Sequence, residues 1–483
     1  MPTFDFAQTN FTRGELSPRL QGRIDFQGFY NGVETLLNMV SLPFGGVMKR
    51  PGTRFVSEVK NQDKPTRLIP FEFSTRESYV LALNDGVIRF FLDEGKLVTE
   101  DIGTASITNG TFDRGNAALS HNSTDERMKF DGGGSSDKAI AEQDISIDNT
   151  NTAHSLSFYI LTVDETPDAI MRVKVGSTSG DGDIKDVDLT SGFHIIQFDP
   201  DGNSTVYLQF EYEGVRNLEL DNIRFQNDQE LELDHPWSDD DLFNLKWVQS
   251  ADVVWIVEND TWPYQLKRFS ETEFSLERFD FIDGPYGDVN KTETTLNPST
   301  TTGDDVTITA SDTVGINDDE GFSDEDIGRW VRLKHSGKWG AGQIVKVNNN
   351  KEVVVKVRDK DFNGSGTTKD WRLGSWSPGQ GFPSATTFHN QRLVFGSSKK
   401  KPQALWFSVV GDFPNFQPTD EDGDVKDDDS INITISSSQV NSIRWIESLA
   451  SGLAVGTSGA VFLFRSATTT DPLCSSYITC ESW

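Results

Sequence analysis

The chain contains little cysteine, little histidine and no long apolar run. Its two cysteines, Cys474 and Cys480, both lie near the carboxyl end, which excludes a disulfide framework through the body of the protein. Six histidines without cysteine partners argue against zinc chemistry. No stretch reaches the roughly 18 apolar residues of a membrane-spanning helix, and residues 1–6 lack the basic and apolar regions of a secretion signal. We expect a protein that is synthesised in the cytoplasm and uses no cofactor.

Positive charge is also scarce: 44 Lys and Arg residues face 75 Asp and Glu residues, which gives a formal net charge of −31. Residues 1–60 hold seven Lys/Arg and five Asp/Glu, so this segment is slightly basic on an acidic chain. Affinity for duplex DNA comes chiefly from Lys and Arg, which release counterions from phosphates. The acidic body therefore argues against a DNA-gripping protein. It suits a surface that DNA passes without sticking, and it equally suits an abundant protein kept soluble by its charge.

Short alternating apolar runs, bounded by Gly, Asn, Asp and Ser, predict an all-β protein, since helical periodicity is nearly absent. With 483 residues the chain is long enough for several domains. The strand-turn-strand pattern of residues 79–91 recurs at 253–269, 392–408 and 452–464. Hairpins with an apolar first strand are typical of propeller blades. An irregular β-propeller-like platform is one interpretation, and unrelated hairpins in separate β-domains are the other.

Two insertions into this platform are predicted. Residues 104–229 contain period-2 strands at β-sandwich spacing, and their order resembles the jelly roll of carbohydrate-binding modules. Residues 295–326 are rich in Thr, Asp, Asn and Gly and predict surface loops, whereas residues 326–357 predict three strands of a small β-barrel. The predicted division is an N-terminal assembly segment at 1–60, a platform at 61–103, 230–294 and 379–483, an inserted jelly-roll β-sandwich at 104–229, and a loop region with a small β-barrel at 295–378.

The N-terminal segment has the composition of an irregular structure, because glycines and prolines at turn-like positions alternate with closely spaced Arg and Asp residues. Planar guanidinium groups form bidentate pairs with carboxylates, which suits these arginines to buried pairs with Asp25 or Glu15 at an interface. The candidate assembly-interface residues are Glu15, Arg19, Arg23, Asp25, Tyr30, Arg50 and Arg54.

The order of motifs along the chain resembles a known family. The N-terminal motifs are Gly14-Glu-Leu-Ser-Pro18, Gly22-Arg-Ile-Asp25, Tyr30-Asn-Gly32, Pro43-Phe-Gly-Gly46 and Arg50-Pro-Gly-Thr-Arg-Phe55. Further matching segments lie at 69–73, 249–253, 371–376, 381–384 and 391–395. In this order the segments resemble the tail nozzle proteins of short-tailed bacteriophages, also called tail tubular protein B.

The resemblance implies a structural virion protein of the phage tail rather than an enzyme. It implies a homohexameric ring around a channel for genome ejection, which docks to the tail adaptor protein and to a tail fibre or spike protein. Viral DNA would pass through without specific binding, and no membrane insertion is expected. The alternative is a glycan-binding or glycan-cleaving tail component that acts on the host surface through the 104–229 sandwich.

The titratable residues form no catalytic pattern. None of the six histidines lies in a recognisable nucleophile, metal or phosphate motif, and His389 predicts a structural hydrogen bond. Asp420, Asp422 and Asp424 have the oxygen density that calcium prefers but lack the spacing of an EF-hand, so a solvated acidic loop is the preferred interpretation. Residues 399–401, three lysines, predict a solvated hairpin tip or a contact for an acidic neighbouring subunit.

The carboxyl-terminal residues depart from the family pattern. Family members continue beyond this length, and the motif expected after Thr468–Leu473 is replaced by residues 474–483. We expect either a shortened platform or an interrupted gene. A shortened platform would expose a strand edge unless a neighbouring chain pairs with it.

Overall fold

The computed structural model describes residues 8–74, 77–105, 107, 114–115, 119–122, 127–131, 138–162, 169–214, 216–436, 441–466 and 478–482. The chain divides into two compact units, Met1–Ser57 and Glu58–Trp483. Within the described residues the helical elements are three single 3-10 turns, Pro18–Leu20, Phe29–Asn31 and Asp324–Asp326, and the remaining regular structure is β-strand. The prediction of an all-β protein is confirmed.

The smaller unit contains two short strand pairs. They are formed by β1 (Gly14–Glu15), β2 (Gly32–Val33), β3 (Met39–Ser41) and β4 (Val47–Lys49). β1 runs parallel to β2, and β3 and β4 form an antiparallel hairpin. The remaining described backbone consists of turns and irregular segments, as the Gly- and Pro-rich sequence predicts.

The larger unit begins with a meander of strands β5 (Arg67–Glu72), β6 (Ser78–Asn84), β7 (Val87–Leu92) and β8 (Gly95–Lys96). β6 and β7 are the predicted hairpin, with Tyr79 opposite Leu92. Asp85 and Gly86 join them with φ values of 52° and 79°. Two consecutive positive φ values define the turn that matches the natural twist of a hairpin, so the Asp-Gly pair fixes the register of this sheet.

The next ten strands form a β-sandwich. They are β9 (Arg114–Gly115), β10 (Leu119–Asn122), β11 (Arg127–Phe130), β12 (Ala139–Ser146), β13 (His154–Thr162), β14 (Met171–Gly176), β15 (Lys185–Leu189), β16 (Gly192–Phe198), β17 (Thr205–Tyr212) and β18 (Leu218–Gln226). One sheet has the order β10-β11-β18-β13-β16 and the other β15-β14-β17-β12-β9. Both contribute to one hydrophobic core, with Met171, Val173 and Val175 pointing inward from alternate positions of β14. The finer jelly-roll assignment stays a prediction.

After the sandwich the chain returns to the first meander and adds a second one. The strands are β19 (Glu232–Asp234), β20 (Lys246–Ser250), β21 (Val253–Glu258), β22 (Thr261–Arg268) and β23 (Phe274–Arg278). β19 pairs with β7, which gives the order β19-β7-β6-β5. The predicted hairpin of β21 and β22 is present. β23 pairs with β16, so the second meander and one sandwich sheet form a single nine-stranded sheet. The sequence did not predict that continuity.

A curved six-stranded sheet follows. Its strands are β24 (Leu296–Pro298), β25 (Val306–Ala310), β26 (Trp330–His335), β27 (Lys338–Asn349), β28 (Glu352–Val357) and β29 (Trp371–Leu373), in the order β24-β25-β28-β27-β26-β29. An antiparallel bridge between Leu296 and Thr368 links its two ends, giving a half-barrel around its own core. The interpretation of residues 295–326 as surface loops is wrong for β24 and β25. Val306 and Ile308 alternate with threonines and point into that core.

The last strands form two further meanders. They are β30 (Ala385–His389), β31 (Arg392–Gly396), β32 (Ala404–Phe407) and β33 (Ile431–Thr434), then β34 (Ile443–Leu449), β35 (Gly452–Thr457), β36 (Val461–Ser466) and β37 (Ile478–Ser482). The predicted hairpins β31–β32 and β35–β36 are both present. The two meanders share a core that includes Leu405 and Val455. Residues 467–477, on which the expectation of a shortened platform depends, lie outside the described residues.

The first strands of all four meanders meet at one place. A cavity of about 440 Å³ is lined by residues of β5, β20, β30 and β34, among them Arg67, Trp247, Thr387 and Trp445. Four-stranded meanders whose first strands line a common centre are what a propeller-like platform requires. The propeller assignment itself stays a prediction.

Candidate assembly surface

The smaller unit leaves its apolar side chains exposed. Among its described residues, 8–57, the only buried positions are Gly28, Gly32 and Gly45, and no apolar side chain is buried. Phe44 is 98% exposed. The other exposed large apolar side chains are Ile24, Phe26, Tyr30, Leu37, Met39, Val40, Met48, Phe55 and Val56. Exposed apolar surface on this scale marks an interaction site in a soluble protein.

Short polar contacts, rather than a core, order the candidate residues of this unit. The Arg23 guanidinium donates two hydrogen bonds to Asp25, at 2.8 and 2.7 Å, and this lowers the pKa of the Asp25 carboxyl. Glu15 accepts a hydrogen bond from the Leu36 backbone N–H at 2.8 Å. Arg50 donates through Nε to the Asn38 side chain at 2.8 Å. Exposed contacts of this kind contribute little to stability, so they set the shape of the segment without stabilising it much.

The seven predicted interface residues therefore differ in the groups that they contact. The bidentate pair expected for Arg23 and Asp25 is present, although it is exposed within one chain. Glu15 and Arg50 bind backbone and amide groups instead of each other. Arg19, Arg54 and Tyr30 are exposed.

A groove lies within the same unit. It has a volume of about 560 Å³ and is lined by apolar Leu16, Leu20, Phe29 and Tyr30, with Gln and Glu side chains among its other lining residues. Its floor requires glycine at position 32, because a Cβ there would stand 2.4 Å from Leu16 Cγ. Of the seven candidates, Tyr30 is the one that lines the groove.

The acidic loop that contains Asp420, Asp422 and Asp424 is held by contacts with one of its own carboxylates. Asp420 Oδ1 accepts hydrogen bonds from the backbone N–H groups of Gly423 and Asp424, at 3.0 and 2.9 Å, and its other oxygen pairs with Lys426 at 3.1 Å. Within the described ranges no three His, Cys, Asp or Glu side chains are placed to hold a metal ion. The weak calcium hypothesis for Asp420, Asp422 and Asp424 therefore has no structural support.

Two of the three lysines, Lys399 and Lys400, are exposed at the hairpin tip, as predicted. Lys399 lies 3.8 Å from Asp260 and Lys400 lies 3.2 Å from Asp318. Lys401 is half-buried, and burial lowers the pKa of its amine. The turn between β31 and β32 therefore contacts other parts of its own chain.

His389 and His194 have structural hydrogen-bond partners. His389 Nδ1 lies 2.8 Å from Ser448 Oγ, at a strand end, which agrees with the predicted hydrogen-bonding role. His194 is buried between Ser275 Oγ, at 3.0 Å from Nδ1, and the Thr190 carbonyl, at 2.8 Å from Nε2. Sequence reasoning missed this His-Ser pair because 81 residues separate its members. Ser275 is itself buried, so the pair joins β16 to β23 rather than presenting a nucleophile.

No family model matches the chain, and no curated protein matches it significantly either. In the part of the chain that the structure describes, no helix is both long and apolar enough to span a membrane.

Proposed function

We propose that this chain is a structural subunit of a ring-shaped phage tail nozzle and that residues 11–56 lie across the boundary to a neighbouring subunit or to the tail adaptor. The observation that carries the proposal is that no apolar side chain is buried in the described part of the smaller unit and that many are exposed. Removing a Leu or Phe side chain from water contributes about 1.5–3 kcal/mol. A segment that leaves so many of them in water gains that free energy only when another surface covers it.

The overall charge supports the same proposal. A ring through which a genome passes must not bind DNA, and a net charge of −31 disfavours contact with phosphates. The meanders and the half-barrel have large cores of their own, which would make the body of the subunit rigid. Such a ring would dock to the tail adaptor and to fibres or spikes, act without catalysis, and reside in the virion.

The described part of the sandwich has few features of a glycan-binding surface. Sugar-binding surfaces usually present aromatic rings, and no aromatic side chain is exposed among the described residues of 104–229. Cleavage of host polysaccharide by the purified protein would nevertheless replace the nozzle proposal with the glycan-cleaving alternative.

Assembly tests the proposal directly. We expect light scattering and negative-stain images of the purified full chain to show a closed ring. The double substitution Phe44→Ser with Phe55→Ser should give a folded monomer, because two exposed aromatic anchors are lost from each subunit boundary. Phe269→Ser is the matched control, since Phe269 is also exposed but belongs to the larger unit, and it should leave the ring intact. A stable wild-type monomer, or a ring that survives the double substitution, would refute the proposal.

A further inference from the structure

A second cavity of the larger unit lies between the half-barrel and the β30–β33 meander. Its volume is about 490 Å³. Trp406, Phe416 and Ile431 form apolar walls, and Arg372 and Lys291 also line the cavity. The cavity therefore combines an apolar interior with cationic groups, which is the usual composition of a small-molecule site.

Arg372 has no acceptor for its guanidinium. Its Nε is buried and makes no hydrogen bond, and its nearest described partner is the Trp339 ring, with the guanidinium carbon 5.3 Å from the ring centroid. Some other partly buried arginines have a carboxylate, as Arg89 has Glu232 and Arg358 has Asp280, each at 2.8 Å, whereas Arg67, like Arg372, has a buried Nε without a hydrogen bond. A desolvated charge without a partner costs free energy, so an unpaired arginine at a cavity points to a missing anion.

Neighbouring charges increase the positive potential. Arg332 is buried over the same Trp339 ring, and together with burial it lowers the pKa of Arg372. Lys401 Nζ lies 3.4 Å from where a Cβ on the cavity-lining residue Gly287 would stand. No hydrogen bond or ion pair of that amine to a described residue is present, and burial lowers its pKa.

The nearby carboxylates do not balance these cations. Asp283 is buried, accepts a hydrogen bond from the Tyr286 hydroxyl and interacts electrostatically with Arg332. Asp288 is 90% exposed at the side chain and lies 3.5 Å from Lys291. Asp288 also lines the cavity and attracts Arg372 and Lys401 electrostatically, but neither cation forms an ion pair with a described carboxylate.

A further donor lines the same cavity. Trp406 is fully buried, and its Nε1–H has no hydrogen-bond acceptor. An oxyanion in the cavity would lie beside the Arg372 guanidinium and the Trp406 indole, which both line it. We propose that this cavity binds a carboxylate carried on an apolar group. The guanidinium fork matches the two oxygens of a carboxylate, and the aromatic and aliphatic walls match an apolar stem.

Calorimetric titration of the full chain with sodium benzoate tests the proposal. We expect saturable binding, with benzyl alcohol and inorganic phosphate each binding about tenfold or more weakly, because the first lacks the charge and the second lacks the apolar stem. Arg372→Gln should weaken benzoate binding by about tenfold or more. Arg172→Gln is the matched control, since it changes an exposed arginine on β14 of the sandwich, and it should leave binding unchanged.

Two further arms complete the experiment. If Arg372→Gln does not fold, Arg372→Lys keeps the charge, loses the fork and should still weaken binding. N-acetylphenylalanine and its amide distinguish the two sources of such a ligand. Tighter binding of N-acetylphenylalanine than of benzoate would indicate a peptide carboxyl terminus. Tighter binding of benzoate would indicate a free organic acid. No saturable benzoate binding, equal binding of benzyl alcohol or phosphate, or unchanged binding by the folded Arg372 variants would overturn the proposal.

Discussion

At the scale of single residues, a buried arginine that binds carbonyl groups constrains the larger unit locally. Arg392 begins β31 and is 1% exposed. Its Nη1 donates to the carbonyls of Ser408 and Asp429, both at 2.6 Å, and its Nη2 donates to that of Asp427 at 2.8 Å. One side chain therefore fastens the acidic segment 427–429 to the end of a core strand.

Replacing this arginine should be costly. Arg392→Met removes the charge but leaves buried carbonyl groups without donors, which is expected to destabilise the protein by about 3–5 kcal/mol. Arg465→Met is the control, because Arg465 is exposed and pairs with Glu481 on the surface, where about 0–1 kcal/mol is expected. Urea unfolding of both variants measures the difference. Equal midpoints would show that the carbonyl contacts contribute nothing.

His235 makes stability depend on pH. It is 7% exposed beside the Trp237 ring, and burial lowers its pKa from 6.5 to about 4. Between these values the unfolded chain binds a proton that the folded chain does not, so stability is full above about pH 6.5 and falls towards pH 4. The expected loss approaches about 3 kcal/mol.

The substitution His235→Phe isolates this effect. Phenylalanine keeps an aromatic ring beside Trp237 but cannot titrate, so its stability relative to wild type should rise as the pH falls from 6.5 to 4. Chemical unfolding at several pH values gives that difference, in which the other titrating groups cancel. A difference that does not change with pH would contradict the assignment.

For single residues, the sequence predicted the kind of contact that a side chain makes better than the group that it contacts. The Arg23–Asp25 pair was predictable because two residues separate its members. Glu15 finds the Leu36 N–H instead of a guanidinium because an irregular turn leaves that donor free, and composition does not encode which N–H groups a turn leaves free.

At the scale of elements, local hairpins were predictable and long-range pairings were not. The β6–β7 hairpin follows from Asp85-Gly86 between two apolar runs, since the turn residues and both strands are adjacent in sequence. The β16–β23 pairing joins two segments that look like the ends of separate modules. The sequence of an edge strand does not indicate which strand of another sheet it will pair with. The nine-stranded sheet could therefore not be predicted.

Gly192 makes the β16–β23 pairing possible. A Cβ at this position would stand 2.5 Å from the Leu276 carbonyl oxygen and 2.8 Å from Glu277 Cα, both backbone atoms that cannot simply rotate away. Gly192→Ala should therefore force the two strands apart and destabilise the protein by about 1–3 kcal/mol.

A matched glycine provides the control. The Cβ added by Gly366→Ala would have no atom within 4 Å, so this substitution should change stability by less than about 0.5 kcal/mol. Hydrogen exchange of the β16 and β23 amides should increase in the Gly192 variant alone. Unchanged protection in that variant would mean that the junction accommodates the extra methyl group.

At the scale of the whole molecule, the net charge could be predicted from the composition, whereas the placement of the charged residues could not. Most partly buried cations in the described residues pair with carboxylates or carbonyls, as Arg268 does with Glu77. The excess of acidic residues is left to face solvent, because an unpaired buried carboxylate is costly. With a net charge of −31, we therefore expect the chain to repel nucleic acid.

This surface gives the last prediction. Anisotropy titration of labelled random-sequence duplex DNA with the full chain should show no binding tighter than about 10⁻⁴ M at 200 mM salt, the weak end of non-specific DNA binding. Lowering the salt to 50 mM should not produce binding, because the net charge of −31 repels the phosphates more strongly at low salt. The double substitution Phe44→Ser with Phe55→Ser is the control for assembly, since neither the ring nor the monomer should bind. Saturable binding that weakens steeply with salt would show that a basic surface faces the DNA, and it would contradict a channel through which the genome passes without adhering.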